Sequence, residues 1–414
     1  MADTPTFVAG LRATGSSFFN ADERPKNFRE AILWLDPNGM TPITALSAKM
    51  KKETTDDPKI HWWEEVQDAK RGVIASGGAT SSIVLATGPD ETQGVRATNP
   101  ALQFAAGDIV QFQPDAGGEP AVYSTGVELG KVTVVTSGTA LTITRSYAGA
   151  AAITLVAGDH VLLVGKAYAE GASAADTTTS FPSQKENFCQ IFKTAFELTN
   201  TARQTHFRSG DAWNNERKRA MFRHAEVLEQ ATLWGVANET AATTQPERTM
   251  GGLRHFLTSN VNAALGAIGE NFFIDTVSPV FDFNAGGAGD ERIVFAGNGA
   301  INKFNKAIRA LAYTHFNNDG VLNLFGLKLL KTSIPQGVFL FKSHPLLNTD
   351  PIYTNSMFVL NPKGIINRPL RGRDTKIQKE IQANGADSRK DQWLTETSME
   401  LQYERTMGYF GGIT

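Results

Sequence analysis

Residues 213–235, WNNERKRAMFRHAEVLEQATLWG, carry the clearest helical pattern in the chain. Asp211 is placed to cap the start of the helix, and Gly235 can follow its end. At a rise of 1.5 Å per residue the helix would be roughly 33 Å long. The sequence therefore predicts one long, stiff helix. Its predicted apolar stripe repeats every seven residues and consists of Trp213, Ala220, Val227 and Trp234, widened by Met221, Leu228 and Ala231.

Residues 393–403, WLTETSMELQY, alternate between two kinds of side chain, as a strand with one covered face does. The pattern predicts a long, half-buried strand near the end of the chain. One predicted face holds Trp393, Thr395, Thr397, Met399, Leu401 and Tyr403, and the other holds Glu396, Ser398, Glu400 and Gln402.

Residues 72–165 differ in composition from the rest, since they contain 14 of the 38 glycines and only ten charged residues. Short runs rich in Val, Ile and Thr alternate there with Gly, Asp and Ser turns, which predicts an all-β unit, a small barrel or sandwich. Two similar entry turns, Gly107-Asp108 and Gly158-Asp159, lead into similar strands and indicate equivalent hairpins.

The remaining segments are less regular. Five prolines punctuate the first 60 residues, which favours an extended arm. Residues 181–212 fit either a helix or a strand. Elsewhere the pattern predicts one helix over Gly252–Leu265 and a second over Ala300–Phe316, which Asn298 caps. A turn at residues 317–320 follows the second helix. Strands are predicted at Phe325–Thr332, Gly337–Phe341 and Ser356–Leu360, so this half is α/β or α+β.

Composition limits the function. The 414 residues include 40 Lys and Arg against 42 Asp and Glu, and this net charge of -2 argues against a dedicated nucleic-acid binder. A single Cys excludes an intramolecular disulfide framework and a multi-cysteine zinc site. The first residues do not read as a signal peptide, and no apolar run approaches the roughly 20 residues of a membrane span.

Motifs for chemistry are missing from the sequence, which has no P-loop, no G-x-G-x-x-G, no H-E-x-x-H and no G-x-S-x-G. Cys189 could be a nucleophile, but a lone Cys between apolar neighbours favours a small buried hydrophobe. His224 lies on the long helix, where a core or interface position is favoured over catalysis. No metal or cofactor site is predicted.

Residues 361–390 carry eight Lys and Arg against three acids. A solvated face, pairing with neighbouring subunits, and contact with phosphates are the three readings, in that order of preference. Trp62 and Trp63 are adjacent, so on a strand they point to opposite faces. We expect Trp62, Trp63, Arg371, Arg373 and Lys376 to act between subunits, because the tract shows no partner nearby in the sequence.

Several stretches, in this order, resemble the major capsid proteins of tailed bacteriophages that share the Hong Kong 97-type shell fold. The resemblance is to the subgroup with a β domain inserted in the extended loop. The stretches are HWWEEVQD (61–68), FPSQKENFCQIFKTAFELTNTA (181–202), ERKRAMFRHAEVLEQATLWG (216–235) and SRKDQWLTETSMELQYERTMGYFGGI (388–413).

The resemblance implies an α+β fold, and it favours strands over residues 181–212. It further implies this order of parts: an N-terminal arm (1–60), extended loop strands (61–74 and 166–212), an inserted β-barrel-like domain (75–165), a spine helix and peripheral domain (213–250), an axial domain (251–375) and a return to the peripheral domain (376–414).

The resemblance also implies a function without catalysis or cofactor. The chain would assemble with itself into hexamers and pentamers of an icosahedral shell around double-stranded DNA, in the host bacterial cytoplasm. Portal, scaffold and decoration proteins would be its other partners, and no membrane is involved. A tail or adhesion protein with a receptor-binding β unit, and a hydrolase built on Cys189, are the alternatives.

Overall fold

The computed structural model describes residues 51–65, 70–77, 80–87, 99–114, 127–172, 182–207, 210–241, 244–268, 272–283, 291–310, 317–324, 327–334 and 336–414. Most of the predicted N-terminal arm (residues 1–50), residues 173–181 of the predicted extended loop strand and the end of the predicted second helix (311–316) lie outside the described residues.

The first half of the described chain is mostly strand. Its elements are β1 (Lys59–Glu64), β2 (Arg71–Ser76), β3 (Ser82–Leu85), β4 (Asp108–Gln113), β5 (Leu129–Val135), β6 (Ala140–Thr144), β7 (His160–Lys166), β8 (Ser183–Phe188), β9 (Gln190–Thr199), α1 (Asn200–Gln204) and α2 (Ala212–Trp234), with a 3₁₀ turn at Pro100–Gln103.

The second half mixes strands with short helices. Its elements are β10 (Asn238–Glu239), β11 (Arg248–Thr249), α3 (Leu253–Phe256), β12 (Val261–Asn262), β13 (Glu291–Ala296), α4 (Asn298–Ala310), β14 (Asn317–Leu324), β15 (Leu327–Ile334), β16 (Gly337–Ser343), α5 (Pro345–Thr349), β17 (Met357–Leu360), β18 (Ile365–Pro369), β19 (Lys376–Gln378), β20 (Ser388–Leu401) and β21 (Gly408–Phe410). A π-helical turn (Phe272–Val277) and 3₁₀ turns (Ser278–Phe281, Tyr353–Asn355, Pro362–Gly364, Glu404–Thr406) connect them.

Strands β2 to β7 close into a barrel in the order β2-β3-β6-β5-β4-β7, around a core of Val, Ile, Leu and Phe side chains. The two Gly-Asp turns have the same geometry. Gly107 and Gly158 have φ of 90° and 104°, and the buried carboxylates of Asp108 and Asp159 accept from the backbone N–H three residues earlier. The strands they start, β4 and β7, pair with each other. The two entry turns are therefore equivalent, but the predicted equivalent hairpins are not formed, because β4 pairs with the next strand β5 whereas β7 pairs with β2 and β4.

The barrel begins earlier than the sequence suggests. Arg71–Ser76, which the sequence assigns to the loop strand 61–74, pairs with β3 and β7 as part of the barrel. The strands on either side of the barrel in the chain, β1 and β8, pair with each other antiparallel over six residues. The barrel is therefore an insertion between the two strands of one hairpin.

A four-stranded sheet is built on β20, which pairs with β9 along one edge and with β19 and β18 along the other. The ambiguous segment 181–212 is thus mainly strand, as the resemblance implies. Phe188, Phe192 and Phe196 are buried while Ile191 is exposed, which is the period-2 pattern of a strand.

The prediction that the closing strand is half-buried is wrong. Its residues from Leu394 to Leu401 are buried on both faces, and the strand ends at Leu401, so Tyr403 is not part of it. The acidic side chains of Glu396 and Glu400 are covered because arginines from the preceding segment lie over them. The alternating pattern of one strand cannot show that arginine side chains from another segment cover its acidic residues.

A seven-stranded mixed sheet has the order β12-β21-β17-β13-β16-β15-β14. Its central strands are buried on both faces. Ile293 and Phe295 of β13 face a core shared with α2 and β20, and Val294 and Ala296 face a second core with α4. This two-sided burial explains the continuous apolar runs of these strands.

The two sheets do not follow the segment boundaries drawn from the sequence. Strand β18 falls in the range 251–375 but belongs to the four-stranded sheet, and β21 falls in 376–414 but belongs to the seven-stranded sheet. Pairing between strands distant in sequence sets these memberships, so sequence order alone misplaces them.

Helix α2 begins and ends as predicted. Asp211 Oδ1 accepts from the N–H groups of Trp213 and Asn214. The heptad stripe is only partly correct, because Met221 and Val227 are exposed whereas Ala220 and His224 are buried against the sheet. A straight helix drifts by about 20° per heptad, so a strict seven-residue repeat does not stay on one face.

Three further predictions are wrong. Residues 252–265 form only the short helix α3, because Val261–Asn262 pairs with Tyr409–Phe410 instead. Residues 317–320 start strand β14 rather than a turn. Asn298 is the first residue of α4, and its side chain accepts from Ser343 Oγ. In the first two cases tertiary pairing outweighs the local preference.

We expect Gly235→Ala to destabilise the protein. Gly235 has φ of -55°, so the residue is needed for space: an added Cβ would lie 2.3 Å from the backbone oxygen of Met250 and 2.5 Å from that of Ala231. The free energy of unfolding should fall by about 1–3 kcal/mol. Urea unfolding followed by tryptophan fluorescence measures this, since Trp213 and Trp234 lie on α2.

Gly165→Ala is the matched control, because an added Cβ there meets nothing within 4 Å. It should change the free energy of unfolding by less than about 0.5 kcal/mol. Equal effects of the two substitutions would show that close packing at Gly235 does not matter.

Candidate functional site

The hairpin β1–β8 presents two different faces. Trp62 lies opposite Lys185, and Trp63 lies opposite Gln184. The Trp62 side chain is 6% exposed, whereas that of Trp63 is 64% exposed. Adjacent tryptophans therefore point to opposite faces, as the sequence predicts, and the Trp63 face is the one open to a partner.

The Trp62 face attaches the hairpin to the rest of the subunit. The Trp62 ring packs edge-on against Phe256, 5.6 Å between centroids, and its Nε1 donates to Glu64 Oε1 at 3.0 Å. The same carboxylate oxygen accepts from the backbone N–H of Tyr403 at 3.1 Å. Trp62 is thus already buried within its own chain, and of the two tryptophans only Trp63 is available to another molecule.

Cys189 is part of this attachment. Its side chain is 1% exposed and clusters with Ile60 and Trp62. Burial raises the pKa of the thiol from 9.0 to about 12, with a smaller contribution from Glu396. The expectation of a small buried hydrophobe is confirmed, and the geometry gives the thiol neither access nor activation.

The basic tract has partners that the sequence did not reveal. Arg371 Nε lies 2.9 Å from Asp56 Oδ1, Arg373 Nε donates to Glu396, and Lys376 Nζ donates to the backbone oxygen of Gly372. The tract therefore has partners within its own chain, which removes the reason given for expecting it to act between subunits. Its acidic partners lie about 300 residues earlier and on β20, which no local pattern indicates.

Two of the tract's arginines neutralise buried acids. Arg368 donates to Glu400, which is 1% exposed, at 2.5 Å, and it also binds Glu53 at 2.6 Å. Arg373 covers Glu396 in the same way. Arg371 differs, because both it and its partner Asp56 are mostly exposed, at 72% and 67%. The tract therefore combines interior neutralisation with an accessible outer edge at Arg371 and Lys376.

His224 is a core histidine. It is buried between α2 and the four-stranded sheet, with Nδ1 3.0 Å from Thr194 Oγ1 and Nε2 2.8 Å from Thr395 Oγ1. Desolvation lowers the pKa of its imidazole, so the neutral form is favoured. The ring joins β9 to β20, which fits the predicted core position.

One further buried pair has no signal in the sequence. Glu229 of α2 and His344, just before α5, are both fully buried, with Oε1 and Nε2 2.9 Å apart. The His344 ring also packs edge-on against Phe295 of β13. This pair fastens the long helix to the seven-stranded sheet. The two residues are 115 positions apart in the sequence, so no local pattern predicts this pair.

An open groove of about 680 Å³ lies at the end of α2. Apolar side chains including Trp234, Val236 and Tyr353 line it, together with the carboxylates of Glu226 and Asp350. Among the residues that the structure describes, no Lys, Arg or His lines this groove. Its chemistry therefore does not suit a phosphate-bearing ligand.

No group of three or more His, Cys, Asp or Glu in the described ranges is placed to hold a metal ion. No helix among the described elements has the length and apolar character needed to cross a membrane.

Comparison with known proteins gives one family and several relatives. The family model described as SU10 major capsid protein matches residues 9–414. A curated major capsid protein of Pseudomonas phage PaMx41 is 23% identical over 371 residues, which covers 87% of this chain and 82% of that protein.

Two solved structures align over nearly the whole length. The capsid of cyanophage A-1(L) is 10% identical with a TM-score of 0.44, covering 97% of this chain and 99% of that one. A chain of Mycobacterium phage Bobi is 8% identical with a TM-score of 0.43, covering 94% and 96%.

Native thiol labelling should separate a buried Cys189 from a reactive one. With a pKa of about 12, only about one thiol in 10,000 is ionised at pH 8. We expect a disulfide reagent such as dithionitrobenzoate to label the native chain slower than the chain in denaturant by a factor on the order of a hundred or more. Equal rates in the two states would contradict the burial and revive a nucleophilic role.

Arg371→Ala and Arg373→Ala should differ in their effect on stability. Loss of the exposed Arg371–Asp56 pair should lower the free energy of unfolding by at most about 1 kcal/mol. Loss of Arg373 leaves the mostly buried Glu396 without its guanidinium and should cost about 1–3 kcal/mol. Urea unfolding of both variants checks this, and equal losses would disprove the distinction between outer and inner arginines.

Proposed function

Since the matching model spans residues 9–414, the chain belongs to the SU10 major capsid protein family, and we propose that it builds an icosahedral head of pentamers and hexamers around double-stranded DNA. A phage major capsid protein forms the capsid shell and is part of the virion, so the resemblance seen in the sequence is confirmed at the level of the family. Its fold is the α+β fold of tailed-phage capsid proteins, which combines the hairpin, the long helix and the two sheets.

The single observation that carries the assembly proposal is the exposed face of the β1–β8 hairpin. The hairpin is attached to its own subunit through the Trp62 face, whereas its other face exposes 64% of the Trp63 side chain. Burial of an indole of this size against a neighbouring subunit would remove apolar area worth about 25 cal/mol per Å². Trp63 is therefore the primary interface residue that we propose.

The basic tract has a secondary role in this proposal. Arg371 and Lys376 lie at the accessible outer edge, and their bonds within the chain are weak enough to be exchanged for contacts with another subunit. Arg373 and Trp62 support that surface from inside, because each is tied to a buried group of its own chain.

The sheets suggest how the subunit is divided. We assign the four-stranded sheet with α2 to the peripheral domain, the hairpin to the extended loop, and the seven-stranded sheet with α4 to the axial domain. The barrel between β1 and β8 is assigned to the outer surface, since an insertion of this size would crowd packaged DNA.

The remaining proposals concern partners and chemistry. The near-neutral chain, with a net charge of -2, suits a wall that touches DNA weakly. We assign it no catalytic activity and no cofactor. Assembly takes place in the host bacterial cytoplasm, where portal, scaffold and decoration proteins are the further partners. The relatives reported above give no support to a tail or adhesion protein.

Trp63→Ala should leave the subunit folded but impair assembly. Because the side chain makes few contacts within its own chain, the circular dichroism spectrum should not change. The assembled fraction should fall about tenfold or more, as for loss of an aromatic anchor at an interface. Sedimentation and negative-stain electron microscopy of the expressed protein measure both quantities.

Trp63→Phe is the matched control and should retain most assembly, because an aromatic side chain remains. Trp62→Ala should instead lower the stability of the subunit itself, by about 3–5 kcal/mol. Normal shell yield from Trp63→Ala would rule out the proposed role of this face.

A further inference from the structure

Residues 51–57, here called the clasp, lie along the outer edge of β18. Lys52 and Thr55 form parallel bridges with Asn367 and Leu370. The N–H groups of Glu53 and Thr55 donate to the oxygens of Asn367 and Pro369. In return, Asn367 and Arg371 donate to the oxygens of Lys51 and Thr55, so four backbone hydrogen bonds hold the clasp.

This pairing has a gap at its centre. Pro369 occupies the position from which the next N–H would reach the clasp, and proline has no N–H to donate. The clasp is also the edge of its sheet, with Lys52 and Thr54 exposed to solvent. The backbone bonds of the clasp are therefore few, interrupted and open to water.

Charged side chains supply the rest of the attachment. Glu53 binds Arg368 Nη1 at 2.6 Å, Asp56 binds Arg371 at 2.9 Å, and Lys52 binds Asp374. The second and third pairs are largely exposed, so each contributes little and is screened by salt.

Arg368 binds one carboxylate on the clasp and another inside the sheet, so opening the clasp costs little free energy. Arg368 is held from the other side by Glu400, which is inside the sheet. If Glu53 leaves, Arg368 keeps Glu400, and no buried charge loses its partner. Release of the clasp therefore breaks surface contacts only and leaves the core neutralised.

We propose that residues 51–57 form a releasable clasp, closed at neutral pH and opened by acid or by salt while the sheet beneath it stays intact. Opening frees residues 51–57 from the sheet edge. In the family's shell, a role that rests on the proposed function, this would let residues 51–57 change their contacts with neighbouring copies without unfolding the subunit.

The acid dependence follows from the carboxylates that hold the clasp. The bond from Lys51, and then the charge of Arg368, lower the pKa of Glu53 below its ordinary 4.5. Burial would raise the pKa of Asp374, but bonds from Lys52 and from its neighbour's N–H outweigh it and lower the pKa below 3.8. Only the contributions that join the clasp to the sheet, from Arg368 to Glu53 and from Lys52 to Asp374, favour closure; that stabilisation is present at neutral pH and is lost as the pH falls through the lowered pKa values. The charged groups around the clasp are Lys51, Lys52, Glu53, Asp56 and Asp57 on it, Arg368 on β18, Arg371, Arg373 and Asp374 in the following turn, and Glu396 and Glu400 on β20.

Hydrogen exchange of the full-length, unassembled chain tests the clasp, with each rate divided by the intrinsic rate at the same pH. Glu53→Gln mimics the protonated carboxyl. At pH 7 and low salt it should raise exchange of the amides of Glu53, Thr55 and Arg371 about threefold, without changing that of β20. In the unaltered chain, lowering the pH to 3.5 or adding 0.5 M NaCl (values on the order used to protonate carboxyls and to screen surface charges) should produce a similar rise.

Glu197→Gln is the matched control. Glu197 also pairs with a lysine, Lys390, and its pKa is also lowered, chiefly by a bond from Ser388, but it lies on the opposite edge of the sheet. This variant should leave clasp exchange unchanged. Two results would overturn the proposal: unchanged clasp exchange in Glu53→Gln, or an equal rise across β20, which would show that the clasp cannot open separately.

Discussion

Two acidic side chains, Glu396 and Glu400, lie buried on β20, and the rest of the subunit is arranged so that each has an arginine. A buried carboxylate without a partner costs several kcal/mol, so Arg368 and Arg373 must lie across the strand. That requirement fixes the path of residues 365–373 and places Glu53 and Asp56 at the outer edge. With β9 on its other edge, β20 thereby joins the segment before the hairpin, the long helix and the end of the chain.

The sequence predicts local features well where a single element explains the pattern. The cap at Asp211, the length of α2, the two Gly-Asp turns and the opposite faces of Trp62 and Trp63 all follow from spacing and turn chemistry. The predictions that fail involve residues far apart in the chain. Residues 252–265 contain a helical pattern, but pairing of Val261 with Tyr409 draws this segment into a sheet. No local pattern pairs Arg373 with Glu396, because the two residues are 23 positions apart in the sequence.

The candidate site shows the same difference between features that one element explains and features that depend on residues far apart in the chain. Adjacent tryptophans on a strand could be read from the sequence, but which of them is available could not, because that depends on Phe256, nearly 200 residues away. Likewise, the Glu229–His344 pair has no local signal. A surface used between copies of one chain is defined by what the subunit leaves uncovered, and only the folded subunit shows this. Buried pairs hold the subunit together, whereas the Trp63 face of the hairpin and the edge of the basic tract at Arg371 and Lys376 are exposed, and we propose that these surfaces contact neighbouring copies.

We propose that a neighbouring subunit completes the open face of the hairpin. Cryo-electron microscopy of particles formed by the expressed chain, at a resolution that resolves aromatic side chains, is the decisive measurement. We expect closed shells of pentamers and hexamers in which the Trp63 indole is covered by an adjacent copy. Tubes, trimers or a purely monomeric protein would contradict it, and so would a closed shell in which Trp63 still faces solvent.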